Sequence, residues 1–229
     1  MQILASGATV EHIDRGGELT FHGPGQIVMY PVFSLRDLGV GARAFVKGLE
    51  SSMVATLGAW GLHAKGDPAT SAGVRRTSSC VGSFTGLCVA ERGAHPRRIC
   101  GCLYAVRLMS KSGVNRAQVW VGDAKVGAIG VRISRGVAYH GLALNVNTDL
   151  SWYEKIVPCG QTDKPVTTVA QLLHQSEAPL RVVERQLMAH LCRVFGHAEC
   201  LHITQQALAQ SMQNAGCEAV AKALMQDHG

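Results

Sequence analysis

The residue that most invites chemistry is Cys159, a cysteine set between Pro158 and Gly160. The proline stiffens the chain before the cysteine, and the glycine lets the chain leave at backbone angles closed to other residues. A sharp turn of this kind can present a thiol nucleophile to a substrate. The alternative is an ordinary turn with a buried, unreactive thiol, and the spacing alone does not decide between the two.

Lys125 is the second candidate, because it begins a run of small and apolar residues that is typical of a strand. The lysine can be a solvated charge at the strand end, or it can be drawn into a cleft. In a cleft close to a thiol, its ammonium group would stabilise the thiolate, and the lysine could carry protons near neutral pH.

Glycine-rich segments hold most of the other unusual residues. Their glycines permit close approach of a ligand to the backbone and expose amide donors. His22 and His140 each precede a glycine, and each could line a site or satisfy hydrogen bonds within packed structure. The sequence lacks the dinucleotide and phosphate-loop fingerprints, so a nucleotide enzyme is weakly supported. It also lacks the HExxH motif and the paired carboxylates of a hydrolase. The segments are 15–26 (RGGELTFHGPGQ), 125–132 (KVGAIGVR), 139–145 (YHGLALN) and 158–160 (PCG).

Short strands joined by tight turns must position these segments. Residues 119–121, 125–134 and 137–147 are predicted to be strands, separated by the dipeptides Gly122-Asp123 and Arg135-Gly136. Because two-residue turns join antiparallel neighbours, this sheet is predicted to be antiparallel. Further strands are predicted at 18–21, at 27–33 as a buried strand, and more weakly at 102–108.

Helices are predicted where apolar residues recur at helical spacing. Two apolar stripes predict two longer helices, and short helices are predicted at 150–156 and after a cap at Thr167 or Thr168. Glycines at 58, 61 and 196 are expected to help end the longer helices. The two apolar stripes are Val46, Leu49, Met53, Leu57 and Trp60, and Leu180, Val183, Leu187, Leu191 and Val194.

The composition describes a globular chain with an unusual middle segment. Hydrophobic residues make up 47% and charged residues 17%, which supports a buried core, while 5% aromatics is thin for a base-stacking surface. The net charge of +6 equals the excess of eight basic over two acidic residues in 66–118. This Gly-, Ser-, Arg- and Cys-rich segment is predicted to be a disordered or irregular insertion. No uncharged run reaches the roughly 20 residues of a spanning helix.

The eight cysteines come without a secretory signal, so reduced thiols are expected. The first four follow the spacing C-x7-C-x11-C-x-C, which lacks the paired C-x2-C knuckles of zinc sites. No metal site is therefore predicted.

Several motifs together resemble the octanoyltransferases of lipoate biosynthesis, also called lipoyl(octanoyl) transferases or lipoate-protein ligase B. The match covers roughly residues 11–65 and 118–175, in the family's order. It implies an α+β fold shared with biotin and lipoate protein ligases, with a mixed, largely antiparallel sheet flanked by helices. The motifs lie at 15–32, 119–150, 156–161 and 166–169.

The resemblance also implies roles for particular residues. Cys159 corresponds to the cysteine that takes octanoate as a thioester, and Lys125 to the lysine that activates this thiol and transfers protons. His22 and His140 correspond to histidines that line the site. The substrate-binding residues implied are Arg15, Gly16, Gly17, Glu18, Leu19, Thr20, Phe21, His22, Ala128, Ile129, Gly130, His140, Gly141, Leu142 and Ala143.

The implied reaction needs no cofactor, because an acyl group moves between thiols and then downhill to an amide. The implied partners are octanoyl-acyl carrier protein, the lipoyl domains of 2-oxoacid dehydrogenase E2 subunits and the glycine cleavage H protein. Neither nucleic acid nor membrane is expected as a partner, and a monomer is expected. Val126, Ile129, Leu142 and Leu144 could line an acyl tunnel or pack in the core.

Two departures from the family pattern leave alternatives open. The chain begins just before the RGG motif, and residues 66–118 replace a brief connection. An inactive homologue that binds acyl carrier protein or a lipoyl domain without transfer is one alternative, and a nucleic-acid or anionic-surface binder that uses the basic segment 66–118 is another. We expect a single domain over 1–229. The irregular insertion favours a mitochondrial or plastid protein, whereas a bacterial source would imply the cytoplasm.

Overall fold

A computed structural model describes residues 9–12, 20–66, 88–90, 105–108, 117–154, 164–197, 210 and 213–214, with the backbone alone at 9–12, 88–90 and 105–108. Two compact units are distinguished along the chain, 1–197 and 198–229. In the second unit, the described residues 210, 213 and 214 are helical. The single domain predicted over the whole chain stays a prediction. Within the described ranges, no helix is long and apolar enough to cross a bilayer.

The first unit combines two β-sheets with helices, as the sequence predicted for an α+β fold. Its strands are β1 (Thr9–His12), β2 (Thr20–His22), β3 (Gln26–Pro31), β4 (Phe33–Ser34), β5 (Ala64–Gly66), β6 (Cys88–Ala90), β7 (Ala105–Leu108), β8 (Gln118–Val121), β9 (Ala124–Ser134) and β10 (Val137–Asn145). Its helices are α1 (Ala42–Gly58), α2 (Ser151–Glu154), α3 (Val169–Leu172) and α4 (Leu180–Val194).

The larger sheet has the strand order β5-β8-β9-β10-β3-β6, and β4 also pairs with β10. Every pairing between its named strands is antiparallel. The smaller sheet has the order β1-β7-β2, in which β1 and β7 are parallel and β2 is antiparallel to β7. The predicted mixed, largely antiparallel arrangement is therefore confirmed.

The β8–β9–β10 meander follows the predicted turns. Arg135 and Gly136 have φ angles of 51° and 82°, the left-handed pair that a two-residue hairpin requires. The mirror-image turn matches the right-handed twist of the strands and fixes the register of β9 against β10. This register decides which residues share a face of the sheet.

The core lies between one face of the larger sheet and α1, and α4 packs against α1. Leu49, Met53 and Leu57 of the predicted stripe are fully buried, as is Leu187 of α4. Thr56 in α1 hydrogen-bonds to His190 in α4 at 3.0 Å, and this bond adds a polar contact between the two helices. The apolar stripes thus identified both long helices correctly.

Some predicted elements require correction. The strand predicted at 27–33 is divided at Val32, which is 47% exposed, and β3 alternates between buried and partly buried residues because only one of its faces meets the core. Segment 66–118 contributes β6 to the larger sheet and β7 to the smaller one, so it is not irregular throughout. Glu18 and Leu19 lie outside the described residues, and β2 covers Thr20 and Phe21 of the strand predicted at 18–21.

The expectation of reduced thiols is wrong for Cys192, which is disulfide-bonded. The prediction rested on the absence of a secretory signal, and compartment sets only a default for thiol chemistry. The short helices are confirmed at α2 and α3. Thr168 is the cap of α3, because its Oγ1 accepts a hydrogen bond from the backbone N–H of Gln171 at 3.1 Å.

Candidate active site

The two faces of the larger sheet have different roles. A Cβ atom added to Gly127 would lie 2.9 Å from the Sδ atom of Met53, so Gly127 faces α1. Alternate residues of a strand point to opposite faces, so Ala128 and Gly130 lie on the other side. We call that side the distal face, meaning the surface of the larger sheet opposite α1.

A β-bulge brings Lys125 onto the distal face. Lys125 and Ala128 are three positions apart, and in a regular strand this odd spacing would place the two side chains on opposite faces. The register shifts between Val119 and Trp120, so that Val119 pairs with Gly127 and Trp120 pairs with Lys125. The extra residue is Val126, and its insertion returns Lys125 to the face that Ala128 occupies.

Lys125 is buried, with only 7% of its surface exposed. Its backbone N–H donates to the carbonyl of Pro165, and its carbonyl accepts from the N–H of Thr167, both at 2.8 Å. These two bonds form a parallel bridge between Lys125 and Val166. The bridge pairs β9 at a position that β10 does not reach, and it anchors the lysine backbone. The lysine is therefore drawn into the fold, and the alternative of a solvated strand-end charge is wrong.

Small side chains form the floor of the distal face beyond Lys125. Ala128 pairs with Ala143, and Gly130 pairs with Gly141, on neighbouring strands. We call these four residues the small-residue strip. A Cβ atom at Gly141 would collide with the carbonyl oxygen of Met29, so the close approach of β3 requires glycine there. The strip leaves space above the sheet where larger residues would fill it.

Ile129 and Leu142 lie on the other face. Both belong to the core cluster against α1, as do Val126 and Leu144. Core packing is therefore the correct alternative for these four side chains, and the expected acyl tunnel does not contain them. The four residues of the small-residue strip, all implied by the resemblance to bind substrate, therefore lie together on the distal face.

Polar side chains form a network at the Lys125 end of the distal face. The Gln26 Nε2 atom donates to Asn145 Oδ1 at 2.8 Å, to Tyr153 Oη at 3.1 Å and to the carbonyl of Phe21 at 3.3 Å. Asn145 is 4% exposed, and its Nδ2 atom donates to the carbonyl of Thr167 at 3.3 Å. Because the Thr167 N–H bonds to Lys125, the network joins β3, β10 and α2 to the lysine backbone.

His22 joins this network through its Nδ1 atom, which lies 2.7 Å from Gln26 Oε1. The Gln26 amide nitrogen faces acceptors, so its oxygen must accept, and His22 Nδ1 carries the proton. In the neutral ring this leaves Nε2 as the acceptor nitrogen, which suits proton transfer. Gln26 therefore sets both the orientation and the tautomer of His22.

His140 is the residue of β10 that precedes Gly141 of the small-residue strip. Its φ angle of 60° falls in the left-handed region, which is rare for a residue inside a strand. Its ring packs edge-on against Tyr30, with 5.9 Å between centroids, and contacts Tyr139 at 5.2 Å. Strained backbone of this kind persists where the surrounding structure enforces it, and it clusters at functional sites.

An aromatic pair borders the site near β2. Phe21 is 1% exposed and stacks on Trp152 of α2, with 5.4 Å between centroids and 4° between ring planes. The pair lines an open pocket of about 360 Å³ together with Asn147, Asp149 and Glu177. Thr20, the preceding residue of β2, is also buried. The position of β2 therefore depends on aromatic packing as well as on strand pairing.

Comparison with known proteins assigns the chain to a family. Residues 2–192 match the lipoyl protein ligase A/B catalytic domain. The chain belongs to this family. The fold agrees, since a crystal structure of lipoate-protein ligase A bound with ATP superposes with a TM-score of 0.57 at 15% identity, covering 93% of this chain and 70% of that one.

The curated relatives of this family member are octanoyltransferases. A mitochondrial octanoyltransferase of Arabidopsis thaliana is 35% identical over 86% of this chain and 64% of its own length. An octanoyltransferase of Chloroflexus aggregans is 36% identical over 85% of this chain and 68% of its own length. The chain thus spans about two thirds of the length of these relatives, and the resemblance inferred from the motifs is confirmed.

The remaining residues implied for this lipoyl protein ligase family member lie outside the described residues. These are Cys159 and Arg15, Gly16, Gly17, Glu18 and Leu19. Sequence reasoning missed Gln26, Asn145, Tyr153 and Trp152. Gln26 and Asn145 belong to the glycine-rich segments, which was a usable signal. The two aromatic residues sit in a four-residue helix whose sequence gives no indication of their contacts.

Proposed function

We propose that this chain is an octanoyltransferase that receives an octanoyl group from acyl carrier protein on Cys159 and passes it to a lysine of a lipoyl domain. The observation that carries this proposal is Lys125, buried on the distal face beside the small-residue strip. An ammonium group on this face can stabilise a thiolate placed close to it, because a nearby positive charge favours the anionic form of sulfur. The octanoyltransferase relatives support the same reaction.

In the first step, the Cys159 thiolate attacks the thioester carbonyl of the octanoyl carrier. A carbon–sulfur bond to Cys159 forms, the bond to the carrier sulfur breaks, and the carrier thiolate leaves as a thiol with the proton that Lys125 donates, so that Lys125 becomes neutral. Exchange between two thioesters is nearly isoenergetic, so the step depends on a reactive thiolate. Lys125 serves here as the cation that stabilises the anionic sulfur.

In the second step, the amine of the acceptor lysine attacks the Cys159 thioester. The amine must lose a proton before or during attack, and Lys125 in its neutral form can take it. A carbon–nitrogen bond forms, the carbon–sulfur bond breaks, and the cysteine sulfur leaves as a thiolate. His22 offers a second route for the proton through Nε2, because Gln26 holds its Nδ1 proton.

The partners follow from this reaction. The acceptors are the lipoyl domains of 2-oxoacid dehydrogenase E2 subunits and the glycine cleavage H protein. The proposed enzyme is a monomer that binds neither nucleic acid nor a membrane. A mitochondrial or plastid location is part of the proposal, supported by the mitochondrial relative. The bacterial relative fits the cytoplasmic alternative.

The decisive experiment is intact mass spectrometry after incubation with octanoyl-acyl carrier protein. We expect one octanoyl adduct in the wild-type chain and none in Cys159→Ala. Cys217→Ser, which removes a thiol of the C-terminal tail, should retain the adduct as a matched control. Addition of a lipoyl domain should discharge the adduct onto its lysine.

A second pair of variants tests the lysine. Lys125→Met should slow adduct formation by at least about 100-fold, because the thiolate loses its cation, while Lys125→Arg should keep the charge and recover part of the first step. Folded protein that binds octanoyl-acyl carrier protein without forming an adduct would contradict the proposal and support the inactive homologue.

A further inference from the structure

Gln118 is a buried amide that the proposed reaction does not use. It begins β8 and is 3% exposed, and its Nε2 atom has no hydrogen-bond partner among the residues that the structure describes. Burying an amide donor without an acceptor is costly, so such groups usually pair with protein, water or a ligand. A donor that the described residues leave unpaired is therefore available to an acceptor that a bound ligand supplies.

The register places Gln118 beside the small-residue strip. Gln118 pairs with Ala128, and Ala128 pairs with Ala143 on the next strand, so the three side chains form one row on the distal face. Trp120 lies two residues further along β8 on the same face and is 8% exposed. Neither Trp120 nor Ala143 belongs to the core cluster against α1. The row is thus separate from that core, with Gln118 and Ala143 buried and Ala128 between them partly exposed.

The distance from Lys125 to this row matches a medium-length acyl chain. Three residues of strand span about 10 Å, somewhat less at a bulge. An extended eight-carbon chain that starts at a thioester beside Lys125 has a similar length and ends at the level of Ala128. Gln118 pairs with Ala128 and lies at the same level, so two to four further carbons would carry the chain past the Gln118 amide.

We propose that Gln118 determines acyl-chain specificity by placing a hydrogen-bond donor at the end of an acyl slot, by which we mean the space above the small-residue strip. This inference rests on the proposed octanoyltransferase function and deepens it. A longer apolar chain would bury the donor against methylene groups and leave it unpaired, whereas only the tip of an eight-carbon chain reaches its level. A chain with an oxygen on its eighth carbon would present an acceptor and pair with Nε2.

The experiment compares acyl-carrier substrates in wild-type protein and Gln118→Leu. The readout is the rate of adduct formation with octanoyl-, dodecanoyl- and 8-hydroxyoctanoyl-acyl carrier protein. We expect the dodecanoyl-to-octanoyl ratio to rise about tenfold in the variant, which corresponds to about 1.4 kcal/mol. The 8-hydroxyoctanoyl-to-octanoyl ratio should fall by a similar factor, so the two ratios move in opposite directions.

Gln175→Leu is the matched control, because it makes the same chemical change at an exposed position. It should leave both ratios unchanged. Gln118→Leu should also melt at or above the wild-type temperature, because it removes an unpaired buried donor. Ratios that stay within twofold of wild type in folded Gln118→Leu would overturn the specificity proposal.

Failure of the proposed function can be distinguished from failure of this inference. Absence of any octanoyl adduct in wild-type protein would refute the transferase reaction. The slot is then tested by calorimetric titration with free octanoate, dodecanoate and 8-hydroxyoctanoate. Preference for the eight-carbon acids that Gln118→Leu reverses toward dodecanoate would support the slot, and equal binding in both proteins would refute it.

Discussion

Replacing Gln26 by leucine should destabilise the fold and disorganise the site at the same time. The side chain of Gln26 holds His22, Asn145, Tyr153 and the carbonyl of Phe21 together. Leucine has a similar volume but neither donor nor acceptor. The variant therefore removes the hydrogen bonds and leaves the packing nearly intact.

The expected loss follows from the contacts. Three of the bonds are short, at 2.7, 2.8 and 3.1 Å, and a typical bond contributes about 0.5–1.5 kcal/mol. Asn145 is 4% exposed and retains its bond to Thr167, so only part of its polar surface is left unpaired. We expect the free energy of unfolding to fall by about 2–4 kcal/mol, which lowers Tm by about 4–16 °C for a chain of this size.

Urea denaturation and thermal melting should both report this change, with Gln175→Leu as the exposed control. Adduct formation at 10–20 °C below the variant's Tm should also be slower, because His22 loses the partner that fixes its tautomer. A stability change within about 0.5 kcal/mol of the control, typical of a surface site, would refute the reasoning.

Three further predictions concern single contacts. Gly141→Ala should lower the unfolding free energy in urea by more than about 2 kcal/mol, because its methyl group would meet backbone; a smaller loss would show that β3 can move. Thr168→Ala should cost about 1 kcal/mol through the lost cap of α3, and Thr168→Ser should restore it in the same assay. The pKa of His190 is lowered below 6.5, first by burial and then by the charge of Arg193. The unfolded chain therefore binds more protons than the folded one, and stability should decline as pH falls from about 7 to 5. His190→Gln should flatten that decline in pH-dependent melting curves, and an unchanged slope would contradict the assignment.

The sequence predicted the parts of the fold that local rules determine. The β9–β10 hairpin was predictable because Arg135-Gly136 can adopt the left-handed turn, and α1 and α4 were predictable from apolar residues at helical spacing. The cap at Thr168 was one of two adjacent candidates, and only the structure chooses between them. Local propensity and tertiary packing agree at each of these elements.

The parts that were not predictable depend on contacts between distant residues. Period-two alternation places Lys125 and Ala128 on opposite faces, and no sequence rule announces the bulge that brings them together. The strand β6 acquires its conformation by pairing with β3, far away in the chain. The strand β7 lies within the one predicted weakly at 102–108, but its pairing with β1 and β2 was not predictable. The Gln26 network likewise joins residues more than a hundred positions apart, such as Gln26 and Asn145.

The extra residue in β9 also sets the distance between Lys125 and the small-residue strip. Shortening the strand by Val126 would convert the pairing opposite Trp120 into a regular ladder, yet the segments before and after it would keep their sides of the sheet. Evolution could therefore gain or lose one residue here without inverting the strand. The ammonium group would move by several ångströms relative to the strip, so a lineage could retune the spacing between its charge and its acyl chain by a single codon.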